Sequence, residues 1–142
     1  MPQQIDTEHF DNCVATLEFA LEKLKGITEN ENNLEYNMAR SSCIKEFEII
    51  LEQGGKLLRK ALKPYFSSSA AVDKLNFKDV FRHSVLHGLL NVEESERWLE
   101  YRDSRNTTAH DYGEEFAEKV LVFLPTFAND AKNLSKMLKD AK

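Results

Sequence analysis

The sequence predicts an all-α protein, an antiparallel four-helix up-and-down bundle with one additional short helix. Three observations lead there. Apolar residues recur at steps of three and four through four segments of the 142-residue chain, and Asn91 with an acidic first turn opens a fifth. No stretch alternates apolar and polar residues for long enough to build a sheet. Caps and stops stand at the segment ends, and no internal repeat is evident. Residues 1–142 read as a single domain.

In the first segment Phe10, Val14, Leu17, Leu21 and Leu24 form one stripe, with Glu18, Glu22, Lys23 and Lys25 between them. That spacing predicts a helix from Thr7 to Lys25, with Gly26 as its stop. Residues 28–33 are polar and Asn-rich, hence a loop. A long second helix follows, its stripe reading Leu34, Met38, Ser41, Ile44, Phe47, Leu51, Gly54, Leu58 and Ala61. Ile50, Leu57 and Leu62 widen the stripe and Pro64 marks its end. Gly54 and Gly55 each cost about 1 kcal/mol relative to Ala inside a helix. They mark a close crossing by a neighbour, a bend, or a mild defect.

Ser67-Ser68-Ser69 reads as a linker. Asn76 caps a third helix that turns Val80, Phe81, Ser84 and Val85 inward and ends near Gly88. Asn91 caps a fourth, whose first turn carries Glu93, Glu94 and Glu96, where negative charge suits the helix dipole. The last helix starts near Glu114 and buries Phe116, Val120, Phe123, Phe127, Ala131, Leu134 and Leu138. Pro125 removes one backbone donor there and should kink it.

Composition narrows the function. With 42% hydrophobic residues, five glycines and three prolines, the chain has the makeup of an ordinary globular protein. A net charge of −5 argues against a protein that coats nucleic acid, yet allows a small pocket that grips one phosphate. Cys13 and Cys43 lack metal-ligand or disulfide-framework spacing and read as reduced core residues. The segment Met1–Asp6 lacks the apolar core of a signal peptide, and no apolar run reaches the length of a membrane span. The expected location is the cytoplasm, with no membrane partner.

One stretch gathers chemistry. Arg105-Asn106-Thr107-Thr108-Ala109-His110-Asp111-Tyr112 combines a cation, an imidazole and a phenol within eight residues. A guanidinium holds a phosphate with paired donors, and a histidine moves protons near neutral pH. Together they suffice for phosphodiester chemistry without a metal or other cofactor. Trp98, Arg102 and Arg105 share one stripe of the fourth helix, anchored by the tryptophan. On a straight helix Arg105 and His110 would point about 140° apart, so they can share a pocket only if the helix ends between them. The plain alternative is a helix end where both cations bond terminal carbonyls. His83 and His87 could share a metal at i, i+4, but no third ligand accompanies them, so they read as surface or interface residues. No glycine-rich phosphate loop is present.

Phe47-Glu48, Phe81, Gly88-Leu89-Leu90, Trp98, Arg105-Asn106, His110 and Tyr112 together resemble the HEPN superfamily of all-α domains. More narrowly, residues 5–140 are similar to the bacterial nucleotidyltransferase substrate-binding proteins, relatives of HepT toxins. Arg105, Asn106, His110 and Tyr112 satisfy the family signature, whereas Arg102 stands too far from His110 to do so. The resemblance implies a homodimer with a composite cleft, encoded beside a minimal nucleotidyltransferase that binds it as antitoxin to toxin. It implies RNA cleavage without metal, in which Arg105 and His110 are catalytic while Arg102, Asn106 and Tyr112 bind or support. It also implies modification of Tyr112 by the partner. A non-catalytic subunit that binds a substrate or nucleotide for the nucleotidyltransferase is the alternative.

Overall fold

The computed structural model describes residues 5–27, 33–107 and 114–140. They form α1 (Glu8–Lys25), α2 (Asn33–Leu62), a 3-10 turn (Lys63–Tyr65), α3 (Ser69–Asp73), α4 (Phe77–Leu86), α5 (Val92–Thr107) and α6 (Glu114–Asp140). There is no strand among the described residues.

Side-chain pairs fix the directions of the four long helices. Asp11 near the start of α1 meets Ser135 and Lys139 near the end of α6, so these two run antiparallel. Tyr36 and Arg40 early in α2 meet Glu118 early in α6, so α2 and α6 run parallel. Arg105 at the end of α5 meets Glu48 in the middle of α2, and Arg97 near its start meets Asp130 well along α6. Chain direction therefore alternates through α1, α2, α5 and α6, as expected of an up-and-down bundle. The additional short helix is α4, packed on α2 and α5.

Local chemistry sets the helix ends. Asn76 and Asp79 form a reciprocal capping box at α4, and Asn91 and Glu94 do the same at α5. Gly88 follows α4 with φ of 74°, a left-handed conformation that glycine adopts without a side-chain clash. The linker expected at Ser67–Ser69 instead starts a helix. The Ser68 hydroxyl accepts a hydrogen bond from the Ala71 amide at 3.2 Å, and α3 seats Val72 fully in the core.

The core collects Phe10, Leu17, Phe47, Phe81, Trp98 and Phe127 between the long helices. Gly54 and Gly55 lie at close crossings and are no mild defect. A methyl group on Gly54 would stand 3.2 Å from Leu134 Cδ2 and 3.5 Å from the Trp98 ring, and one on Gly55 would stand 3.3 Å from Phe77. Bare backbone at these two positions lets α4, α5 and α6 close on α2.

The first turns of α2 depart from the expected stripe. Leu34 and Met38 are 73% and 68% exposed, and Ser41 is exposed as well. Steps of three accumulate a drift, so Met38 falls about 180° around the helix from Phe47. The face that continues inward from Phe47 runs through Cys43, Arg40 and Tyr36, and the last two meet α6. Cys13 and Cys43 are free and buried, as expected.

Candidate functional site

α5 positions the candidate arginines because its inner face is pinned by two aromatic residues. Trp98 is 1% exposed and packs against Phe81, Tyr101 and Phe127, with ring centroids 5.6, 5.8 and 5.4 Å away. Tyr101 packs against Phe123 and Phe127 at 5.4 and 4.9 Å. With those rings seated, the following turns of α5 lie over α2 and the start of α4.

Arg105, in the last turn, places its Nε 3.5 Å from Glu48 Oε2. Both side chains are about one-third exposed, so solvent touches the pair from outside, although the Arg105 Nε itself is buried. Glu48 follows Phe47, whose ring is fully buried against Phe123 and Phe127. The carboxylate beside Arg105 therefore stands on a rigid base. Arg102 takes a different course: its guanidinium carbon lies 4.9 Å from the centroid of Phe77, a cation–π contact at the start of α4. The shared stripe thus splits, with Arg105 directed to α2 and Arg102 to α4. His110 and Tyr112 lie outside the described residues, as does the side chain of Asn106.

Sequence reasoning missed the strongest polar constellation on α5. Asp130 is 3% exposed and accepts three hydrogen bonds: from Arg97 Nε at 2.9 Å, from an Arg97 terminal nitrogen at 2.8 Å and from the Tyr101 hydroxyl at 2.6 Å. The bond to Asp130 raises the Arg97 pKa further above its ordinary value. Burial, and then the bond to Asp130, push the Tyr101 phenol well above the usual tyrosine range. The available signal was an aspartate interrupting the apolar stripe of α6 between Phe127 and Leu134. This cluster ties α5 to α6 and fixes the helix on which Arg105 sits.

His83 and His87 are half-buried rather than simply at the surface. Phe66 packs edge-on against His83 at 5.0 Å, and Tyr65 stacks on His87 at 4.3 Å. Among the described residues no group of three or more His, Cys, Asp or Glu side chains is placed to hold a metal ion. None of the described helices is long and apolar enough to cross a membrane. The Cys43 thiol is pushed up to about 11 by burial, which makes it a poor nucleophile.

Known proteins share this architecture. A Haemophilus influenzae protein described as a probable ribonuclease HepT is 27% identical over 99 residues, 70% of this chain. The match spans 66% of that relative, just under two thirds of its length. A solved H. influenzae structure, described as revealing the fold of a substrate binding domain of a nucleotidyltransferase, superimposes with a TM-score of 0.82 at 22% identity. That match covers 94% of this chain and 99% of the other, and it speaks for the fold. A Thermus thermophilus crystal structure superimposes with a TM-score of 0.69 at 25% identity, over 92% and 98% of the two chains. The model of the family described as nucleotidyltransferase substrate binding protein like matches residues 6–140, almost the whole length, and this chain belongs to that family.

Proposed function

We propose that the chain is a toxin-like subunit of a two-component nucleotidyltransferase system and cleaves RNA without a metal ion. In this reading residues 1–142 act as one HEPN-like domain, a homodimer in the bacterial cytoplasm whose two signatures meet in a composite cleft. The observation that carries it is Arg105, held partly exposed at the end of α5 over Glu48 and followed in the chain by His110 and Tyr112. An arginine in a solvent-touched pair of 3.5 Å can exchange its carboxylate for a phosphate, whose geometry its paired donors match.

The chemistry follows from those groups. The ribose 2′-oxygen attacks the adjacent phosphorus while the bond from phosphorus to the 5′-oxygen breaks. The 2′-hydroxyl proton passes to a base, and a proton is delivered to the departing 5′-oxygen. His110 serves as that base or as the acid, and its counterpart in the second protomer supplies the other role. Arg105 stabilises charge developing on the phosphoryl oxygens, an effect worth several kcal/mol when donors are pre-positioned. Asn106 orients a phosphate oxygen or the imidazole, and Arg102 takes a neighbouring phosphate. Tyr112, two residues from His110, is the point of control: AMP transferred from ATP to its oxygen by a partner nucleotidyltransferase, with pyrophosphate leaving, would set a bulky anion beside both catalytic groups.

The test is cleavage of RNA by purified protein in EDTA, with His110→Ala and Arg105→Ala as controls that stay folded. Cleavage lost in both variants supports the reading. A dimeric wild type that binds nucleotides and leaves every RNA intact favours a second one, a non-catalytic subunit that presents a substrate to the nucleotidyltransferase. The description of the chain's own family as nucleotidyltransferase substrate binding protein like supports that second reading. Mass spectrometry of the Tyr112 peptide after co-expression with the partner reports the modification. An unmodified tyrosine in an inhibited complex would mean control by occlusion.

A further inference from the structure

One face of α2 looks away from the bundle. Leu34 and Met38 stand one turn apart on it, 73% and 68% exposed. Ser41 and Lys45 continue it as exposed residues, with Ser42 and Ile49 half-buried beside them. At ~100° per residue all of these point within about 60° of the Met38 direction, so they form one strip about 22 Å long. Glu48, where Arg105 meets α2, lies about 80° round the helix from Met38, on the flank of that strip.

The make-up of the strip matches a copy of itself. Turned about a two-fold axis between Ser41 and Ser42, two antiparallel strips pair Leu34 with Ile49 and Met38 with Lys45, each pair being equidistant from the axis. The Lys45 methylenes then cover Met38 while the ammonium reaches water, and the serines let the two backbones approach. An axis at Lys45 instead would set two ammonium groups against each other. A two-fold axis in the contact plane reverses chain direction but leaves each flank on its own side. Both Glu48–Arg105 pairs therefore open on one side of the crossing. The strip supplies about half of the ~800 Å² that each partner of a stable complex buries, so this flank has to close as well.

We propose that this strip is the face on which a second copy of the chain docks, α2 crossing α2 at Ser41 and Ser42, and that the crossing sets both Arg105 sites in one shared cleft. It names the contact surface of the homodimer proposed above and rests on that reading for the use of the cleft. The contact itself does not depend on RNA being the substrate.

The experiment is sedimentation of the full chain, without any partner, across micromolar concentrations. Leu34→Glu and Met38→Glu should each weaken self-association roughly 100-fold, because a symmetric contact places the new carboxylate in the apolar strip twice. Leu86→Glu alters an equally exposed leucine, 73% open on α4, and should leave the dimer as it is. Mild oxidation with diamide should link Ser41→Cys into a covalent dimer and should not link Leu86→Cys; the native Cys13 and Cys43 are buried. Circular dichroism checks that these variants, all altered at exposed positions, remain helical.

Wild-type self-association in both glutamate variants would overturn the proposal, and so would linking through Leu86→Cys in place of Ser41→Cys. A wild type that stays monomeric overturns it too, and loss of the nucleotidyltransferase complex in Met38→Glu would then assign the strip to that partner. A dimer with the expected dependence that leaves every RNA intact would keep this contact face and remove the ribonuclease reading. Undiminished RNA cleavage by a monomeric Met38→Glu variant would keep the ribonuclease and remove the shared cleft.

Discussion

Two arginines of α5 stand eight residues apart, exposed to a similar degree, and meet carboxylates in opposite circumstances. Arg97 makes a two-pronged contact with Asp130, a carboxylate 3% exposed that also accepts from Tyr101. Arg105 meets Glu48 at 3.5 Å, with both partners about one-third exposed. The first pair is a joint, because a buried carboxylate cannot lose its donors cheaply. The second is a pair that solvent already reaches, where a competing anion can take the carboxylate's place. One helix thus has a fixed end and an exchangeable one, and the fixed end holds the other in place.

Removing the joint should have the largest effect. Asp130→Ala leaves the buried Tyr101 phenol without its acceptor, while Arg97, 38% exposed, can turn to water; it should destabilise the fold by about 1.5–3 kcal/mol, the scale for hydrogen bonds to a charged group. Urea unfolding monitored by circular dichroism reads this. A loss under about 1 kcal/mol would break the contrast, since Asp130 would then behave as a surface group.

Arg105→Ala should do the converse. Stability should change by no more than about 0.5 kcal/mol, as for a surface substitution, while RNA cleavage falls on the order of 10²-fold. Arg105→Lys keeps the charge and loses the two-pronged geometry, so most of the activity should still be lost. Activity retained in Arg105→Lys would mean that charge alone suffices.

The helices were legible because their causes are local. Periodicity placed α1, α2, α4 and α6, and Asn76 and Asn91 marked the starts of α4 and α5 through side chains that bond amides three residues on. The serine run hid α3, since Ser68 serves equally in a turn or as a cap. Leu34 and Met38 misled because apolar character was followed at steps that drift around a helix. Asp130 and Glu48 were opaque as partners, for a pair formed across helices leaves no spacing to read. At the candidate site the sequence supplied Arg105 through its neighbours His110 and Tyr112. The split between Arg105 and Arg102 came only with Glu48 and Phe77 in place.

The Glu48 side of the comparison gives a smaller effect. Glu48→Gln should cost under about 1 kcal/mol, with the difference from wild type shrinking as salt is raised. If Glu48 competes with phosphate for Arg105, the same variant should bind nucleotide monophosphates more tightly, which isothermal titration reads. Weaker binding would recast Glu48 as a support for the site.

The smallest expected signal comes from the phenol in the joint. Burial, followed by the bond to Asp130, raises the Tyr101 pKa above its unfolded value near 10. Within the window between the two values the folded chain keeps a proton that the unfolded chain has released. Stability is therefore unaffected by this group below about pH 10 and declines as pH climbs toward the folded value. Absorbance near 295 nm, followed during alkaline titration, should show one phenol ionising late and together with unfolding. Tyr101→Phe should remove that late step. A phenol in this position that ionised at its ordinary pH would show that water reaches Asp130, and the difference between the two ends of α5 would then be one of degree.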